Sequence, residues 1–407
     1  MRLVRQASVP LLWAALVMSR GLFAQATADS LPAAALPDQA RVALRALDLR
    51  YVQPAMPRLL PSGATVKAVY VNAWAFGSSR LWQLLRLADE TEINAFVVDV
   101  KDDTGCLLYP SAVPTAQQIG ANVCARARDA RARLDTLLVH GIYPIARIVV
   151  AKDPLLAEHR PQWSVHLAGG ELWRDRIGSA WVDAYNDSVW VYAAELAQEA
   201  VRMGFAEVQF DYVRFPDEPR ERLATAIFSA RRRGDTPRSA VRRNVQLLKS
   251  LLAPLGAPVT FDIFGLTASA TDDMGIGQVW EDFSSVADVV LPMLYPSHYR
   301  AGAYGFAWPN GQPYKIVHRA LEEALGRSRA PDAAEIRPYL QAFTLGRRLP
   351  RYTPFEIREE IRAVEDLGIT SWVLWNPRSV YQRGSLRPKH GSTSPETQTV
   401  SSVRGGR

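Results

Sequence analysis

The chain runs to 407 residues, with 48% hydrophobic and 22% charged side chains and a formal charge of +7. Such a mixture excludes a chain that stays disordered throughout, and about 320 residues between a leader and a tail suffice for one large domain. The positive surplus comes without an aromatic-interleaved basic motif, so no nucleic-acid partner is expected.

Arg2 and Arg5 precede an apolar stretch from Val9 to Val17, and Ala24-Gln25-Ala26 supplies the small-x-small pattern at which a signal peptidase cuts. Residues 1–26 are therefore read as a cleaved signal peptide, and the protein as periplasmic or secreted without stable membrane insertion. An uncleaved anchor is the competing reading; the stretch is short for a bilayer, and Arg20 interrupts it. Residues 27–63 are rich in alanine and proline and read as an extension or linker, with one short helical candidate at 39–49. The tail at 385–407 is rich in serine, arginine, glycine and threonine, lacks an apolar pattern, and is expected to be disordered.

Between these ends, at 64–384, apolar runs alternate with amphipathic ones. Strands are predicted at 66–72, 95–101, 143–149, 207–213, 259–264, 288–294, 337–343 and 371–376. Helices are predicted at 81–89, 127–139, 188–202, 238–252, 279–285, 314–325 and 354–367. In the last, Ile357, Ile361, Val364 and Leu367 form a stripe at helical spacing, Pro354 suits a first turn and Gly368 a stop. This α/β alternation matches a single (β/α)8 TIM barrel, with an open doubly wound sheet as the alternative. The first βα connection, Trp74 to Ser79, lacks a GxGxxG fingerprint and no Walker motif occurs, so no organic cofactor is expected. Cys106 and Cys124 form an even pair in an exported chain and are read as a disulfide worth about 3 kcal/mol. Two free, partly buried thiols are the alternative.

Charged side chains late in buried strands are costly unless paired or used. Alternation puts Asp99, Lys101 and Asp103 on one face of the second strand, Glu207, Gln209 and Asp211 on one face of the fourth, and Thr260 and Asp262 on one face of the fifth. Asp211, Asp262 and Asp99 are the candidate catalytic carboxylates. Arg214 is a candidate to hold Asp211 ionised, or simply to pair with it at the strand-to-loop turn. Asp262 could instead cap a turn, and Asp102 reads as a solvated or capping residue. Glu207 lies deep enough to need a cation, for which Arg147 is the candidate; the alternatives place Glu207 at the opposite end of the strand or between helices. Other strand ends carry Asn72, Trp74, Tyr295, His298, Trp375 and Asn376. Carboxylates and amides beside aromatic rings suit sugar hydroxyls and ring faces. Together with Lys101, Asp103, Arg147 and Arg214, these residues form the candidate substrate-binding set. The histidines at 140, 159, 166, 298, 318 and 390 are scattered without an HxxxH pair, so no metal is expected.

The runs Asp99-Val100-Lys101-Asp102-Asp103-Thr104-Gly105, Phe210-Asp211-Tyr212-Val213-Arg214-Phe215-Pro216, Phe261-Asp262-Ile263-Phe264-Gly265, Pro292-Met293-Leu294-Tyr295-Pro296-Ser297-His298-Tyr299 and Trp375-Asn376-Pro377 resemble the DUF4015 family of exported bacterial glycoside hydrolase-like proteins. The resemblance covers Val66 to Pro377. It implies a TIM barrel distantly similar to the alpha-amylase type and a catalytic aspartate after the fourth strand, here Asp211. The amylase-type group has its acid glutamate after the fifth strand, where this chain has Asp262. The expected activity is hydrolysis of a glycosidic bond in an envelope or extracellular oligosaccharide or polysaccharide. Asp211 would serve as nucleophile or base and Asp262 as acid, with Asp99 or Asp103 next in line. The alternatives are a non-catalytic carbohydrate-binding barrel and a metal-assisted polysaccharide deacetylase.

Overall fold

The computed structural model describes residues 64–389 apart from Arg348. The predicted signal peptide and extension, His390 and the chain beyond it lie outside the described residues. The strands are β1 (Lys67–Val71), β2 (Ala95–Lys101), β3 (Tyr143–Val149), β4 (Glu207–Asp211), β5 (Val259–Phe264), β6 (Val289–Leu294), β7 (Glu335–Ile336), β8 (Tyr339–Gln341) and β9 (Trp372–Trp375). All pairings between them are parallel. The order runs from β5 through β4, β3, β2, β1, β9 and β8 to β6, and pairing of β6 with β5 closes the barrel. β7 and β8 both pair with β6 and together occupy the seventh of eight positions. The predicted single strand at 337–343 is broken at Pro338, whose ring nitrogen has no hydrogen to donate to a ladder.

Helices cover the outside at or near the predicted positions, including Asp187–Met203, Pro237–Leu252, Pro313–Arg327 and Pro354–Glu365. The last starts at a reciprocal capping box of Thr353 and Glu356 with Pro354 in the first turn, as its sequence requires. Outward strand residues such as Phe96, Val98, Phe210 and Phe261 pack under these helices. Inward residues Ala68, Ala95, Val97, Ile145, Leu291 and Val373 fill the barrel with a second, smaller apolar cluster. Inward polar residues sit above and below that cluster.

One boundary and one pairing differ from expectation. Leu386 is buried, Arg387 pairs with Glu365 at 2.5 Å and Pro388 bridges to Thr91, so the packed chain continues past 384 to the end of the described segment. Glu207 pairs with Arg337 at 2.7 Å rather than with Arg147, because Arg337 enters the same barrel layer from the far side. Cys106 and Cys124 are joined, with their Cα atoms 5.6 Å apart, within the long connection after β2.

Candidate active site

The inward side chains at the carboxyl ends of β2, β3, β4 and β5 meet on Arg147. Its Nη1 donates to Asp99 Oδ1 at 2.5 Å, its Nη2 donates to Asp211 Oδ2, and its Nε lies 3.5 Å from Asp262 Oδ2. All four side chains are almost fully buried. One guanidinium thus serves three carboxylates, too little positive charge to offset three ionised groups in a dry interior. Burial first, then the charge of Asp211, pushes the Asp262 carboxyl well above the ordinary carboxylate range despite Arg147. Burial likewise raises Asp99 to about 6, although Arg147 and the Tyr70 hydroxyl both favour its ionised form. Burial works against charge on Arg147, yet Asp99 and Asp211 outweigh it and keep the guanidinium protonated. Gln209 joins the layer below, donating to Asp262 Oδ1 at 2.8 Å and to the Tyr339 hydroxyl at 2.5 Å.

The turn after β4 aims Asp211. Tyr212 has φ 55°, the left-handed region that a bulky side chain seldom adopts, and its amide donates to Asp211 Oδ1 at 2.5 Å. A cavity of about 540 Å³ opens over this turn. Arg147 and Asp211 form part of its floor, with Trp375, Tyr295 and His298 around them. Tyr70 stacks on Trp375 with ring centroids 3.8 Å apart, and the Arg147 guanidinium lies 5.1 Å from the Trp375 ring. The outer wall comes from Asp175, Trp181, Asp217, Glu218 and Phe264.

Of the expected site residues, Asp211, Arg147, Arg214, Tyr295, His298 and Trp375 line this cavity. Asp99 and Asp262 contact Arg147 from behind it and do not contribute to its wall. Arg147, not Arg214, is the cation paired with Asp211. Lys101 leaves the group: a register shift separates it from Asp99, and its ammonium pairs with Asp153 at 2.8 Å and donates to Val149 O at 2.6 Å. Asp103 reaches the site indirectly, through a 2.7 Å pair with the cavity residue Lys152. Asn72 caps the short helix Ala73–Phe76 and bonds Pro377 O, while Asn376 donates to Ala342 O at 2.6 Å; both asparagines fix loop backbone. Trp74 is 64% exposed, stacked under Arg126 outside the cavity. Asp102 caps its own turn, accepting from the Thr104 amide at 2.9 Å.

The sequence of residues 68–381 matches the family model described as "Putative glycosyl hydrolase domain", DUF4015. The chain belongs to this family. A hypothetical protein from Ruminiclostridium thermocellum is 33% identical, over 51% of this chain and 98% of its own, with a TM-score of 0.44. The glycoside hydrolase domain of PgaB (BpsB) from Bordetella bronchiseptica is 14% identical, covering 78% of this chain and 95% of that one, with a TM-score of 0.54. Alpha-L-fucosidase isoenzyme 2 from Paenibacillus thiaminolyticus is 14% identical, covering 79% and 48%, with a TM-score of 0.50. The last two show a shared fold. No curated protein sequence matches the chain.

In this DUF4015 domain, Tyr212, Lys152 and the stretch Asp175–Trp181 are site residues that sequence reasoning misses. The signal for Lys152 and Asp175–Trp181 is the long connection from β3 to the helix Asp187–Met203, and for Tyr212 its place directly after β4; in a barrel of this kind both lie at the functional face. Asp175 is largely committed to that loop: it accepts from the Ser179 amide at 2.8 Å and from Trp181 Nε1 at 3.0 Å. Among the described residues no three His, Cys, Asp or Glu side chains are grouped to hold a metal ion, and no helix is long and apolar enough to cross a membrane. The position central to the three aspartates is taken by Arg147. A deacetylase ligand set is therefore not found there. What the floor offers is one cavity-facing carboxylate held by a guanidinium, with two carboxyl groups of raised pKa behind it.

Proposed function

We propose that this protein hydrolyses a glycosidic bond in an exported or envelope glycan, with Asp211 as the carboxylate that meets the sugar. The observation that carries the reading is Asp211 itself: it ends β4 on the cavity floor, oriented by Arg147 and the Tyr212 amide. The Trp375 and Tyr295 rings beside it offer apolar faces for a pyranose, and membership of the family agrees with hydrolase chemistry. Asp211 would attack the anomeric carbon or activate a water there.

The leaving oxygen needs a proton. Asp262 carries one by virtue of its raised pKa, but that proton must pass Asp211 or Arg147 to reach the cavity. Asp217, an exposed carboxylate on the loop after β4, faces the cavity directly. Leaving-group dependence separates the two. Loss of the true donor slows poor leaving groups far more than an activated aryl glycoside. Asp262→Asn and Asp217→Asn, assayed on a phenol and a nitrophenol glycoside, should show that pattern in one variant. Asp99 acts through Arg147 and is a positioning residue.

The recessed Asp99 and Asp262 also favour a second reading, a barrel that binds glycan without cleaving it. A polysaccharide panel distinguishes them: the hydrolase reading expects new reducing ends, the binding reading retention without products. Products from no member of a panel that includes a retained glycan would decide for binding.

A further inference from the structure

Arg214 is 7% exposed and lines the cavity wall. Its guanidinium is clasped by three rings, with centroids at 4.6 Å for Tyr212, 4.6 Å for Phe264 and 5.1 Å for Trp181. Its Nη1 donates to Phe215 O at 2.9 Å, yet it makes no ion pair with any carboxylate among the described residues. The other buried arginines of the barrel differ: Arg147 has Asp99 and Asp211, and Arg337 has Glu207. Of the other cations on the cavity wall, Lys152 pairs with Asp103 and Arg176 with Glu218 at 3.9 Å, while Arg300 has no ion pair among the described residues but is exposed to solvent, so its charge is not desolvated. Asp211 and Asp217 are the negative charges near Arg214, and neither forms a contact pair with it. A desolvated guanidinium without a carboxylate is expensive to keep. Here the rings fix its plane, Phe215 O and the Tyr212 side chain take part of its N–H capacity, and the side chain borders the cavity; a planar guanidinium with N–H groups to spare recognises a carboxylate through two parallel hydrogen bonds.

We infer that Arg214 is the anion subsite of this cavity and that the glycan it takes carries a carboxylate, as a uronic acid residue does. The inference rests on the glycan reading of the site, but not on hydrolysis. The carboxylate would lie between the Tyr212 and Phe264 rings, on the wall of the same cavity whose floor holds Asp211, so a sugar held there places a glycosidic bond over the floor.

Binding to the full chain tests this, using methyl glucuronide and methyl glucoside in both anomers, followed by Trp181-sensitive fluorescence and saturation-transfer NMR. The wild type should bind at least one glucuronide about tenfold or more tightly than the matching glucoside, with the margin narrowing in high salt. Arg214→Gln should abolish that margin, and Arg214→Lys should retain part of it, which a variant that merely misfolds would not do. Equal affinity for the neutral sugar, no binding of either, or a margin that survives Arg214→Gln would overturn the subsite. So would displacement of glucuronide by acetate or inorganic sulfate at equal concentration, which would mark a general anion site. Intact glucuronide preference without bond cleavage in any glycan would count against the hydrolase reading alone.

Discussion

Replacing Arg147 with methionine keeps bulk in the barrel and removes the one cation shared by Asp99, Asp211 and Asp262. The native guanidinium makes two direct contacts, with Asp99 at 2.5 Å and with Asp211, and a longer one of 3.5 Å with Asp262. Removing one partner from a buried charge pair costs about 3–5 kcal/mol, because the other charge is left in a dry interior. Here the stranded groups have an escape: each carboxyl can bind a proton, and every tenfold gain in proton affinity corresponds to about 1.4 kcal/mol. Asp262 already favours its protonated form and Asp99 titrates near 6, so at pH 5 much of the penalty is relieved. Folded-state carboxyls with raised pKa values bind more protons than unfolded ones, so stability falls as pH rises through the folded pKa. Arg147→Met should therefore lose roughly 1–2 kcal/mol at pH 5 and about 3–5 kcal/mol at pH 8. The readout is the urea midpoint of variant and wild type across that range, since a barrel of this size need not unfold in one step. A midpoint difference that stays constant with pH, or a variant as stable as wild type at pH 8, would refute the shared-cation account.

Asp99→Asn isolates one titration: relative to the variant, the wild type should lose up to about 3 kcal/mol between pH 4 and pH 6 and then level off, because its pKa is raised from 3.8 to about 6. A flat difference across that window in chemical unfolding would contradict the raised value. Cys124→Ser opens a crosslink spanning 18 positions and should cost about 3 kcal/mol in thermal or urea unfolding, with two alkylatable thiols appearing in wild type only after reduction. In Gly265→Ala, a new Cβ would sit 2.4 Å from Met293 O, a backbone atom of the cavity wall. The variant should lose about 1–3 kcal/mol in the same assay, and unchanged stability would show that β5 and β6 can part there at no cost.

Much of this arrangement is legible in the sequence because strand alternation is a rigid rule. Asp99, Asp211 and Asp262 project into the barrel as their parity demands, and Gln209 and Thr260 share the inward face. Parity says which side chains enter the barrel, but not which partners meet across it. Sequence alone therefore offers Arg147 to Glu207, which Arg337 takes instead, and offers Arg214 to Asp211 on nearness in the chain. Lys101 drops out because a register shift breaks the alternation between it and Asp99. The strand-end asparagines, Asn72 and Asn376, look like sugar ligands in sequence, yet their short amides are spent on nearby backbone, Asn72 on the helix it caps and Asn376 on Ala342 O. The wall from Asp175 to Trp181 is non-periodic, so no hydrophobic pattern could assign its side chains to the cavity.

The most direct test of the central claim is turnover by Asp211→Asn beside wild type on a glycan that the wild type cleaves. The substitution is nearly isosteric and leaves Arg147 with Asp99, so thermal unfolding should show a folded protein. The account predicts a fall in kcat on the order of 10³-fold with sugar binding largely kept, as expected for a group used in the transition state. A folded Asp211→Asn protein that releases reducing ends at the wild-type rate would contradict it.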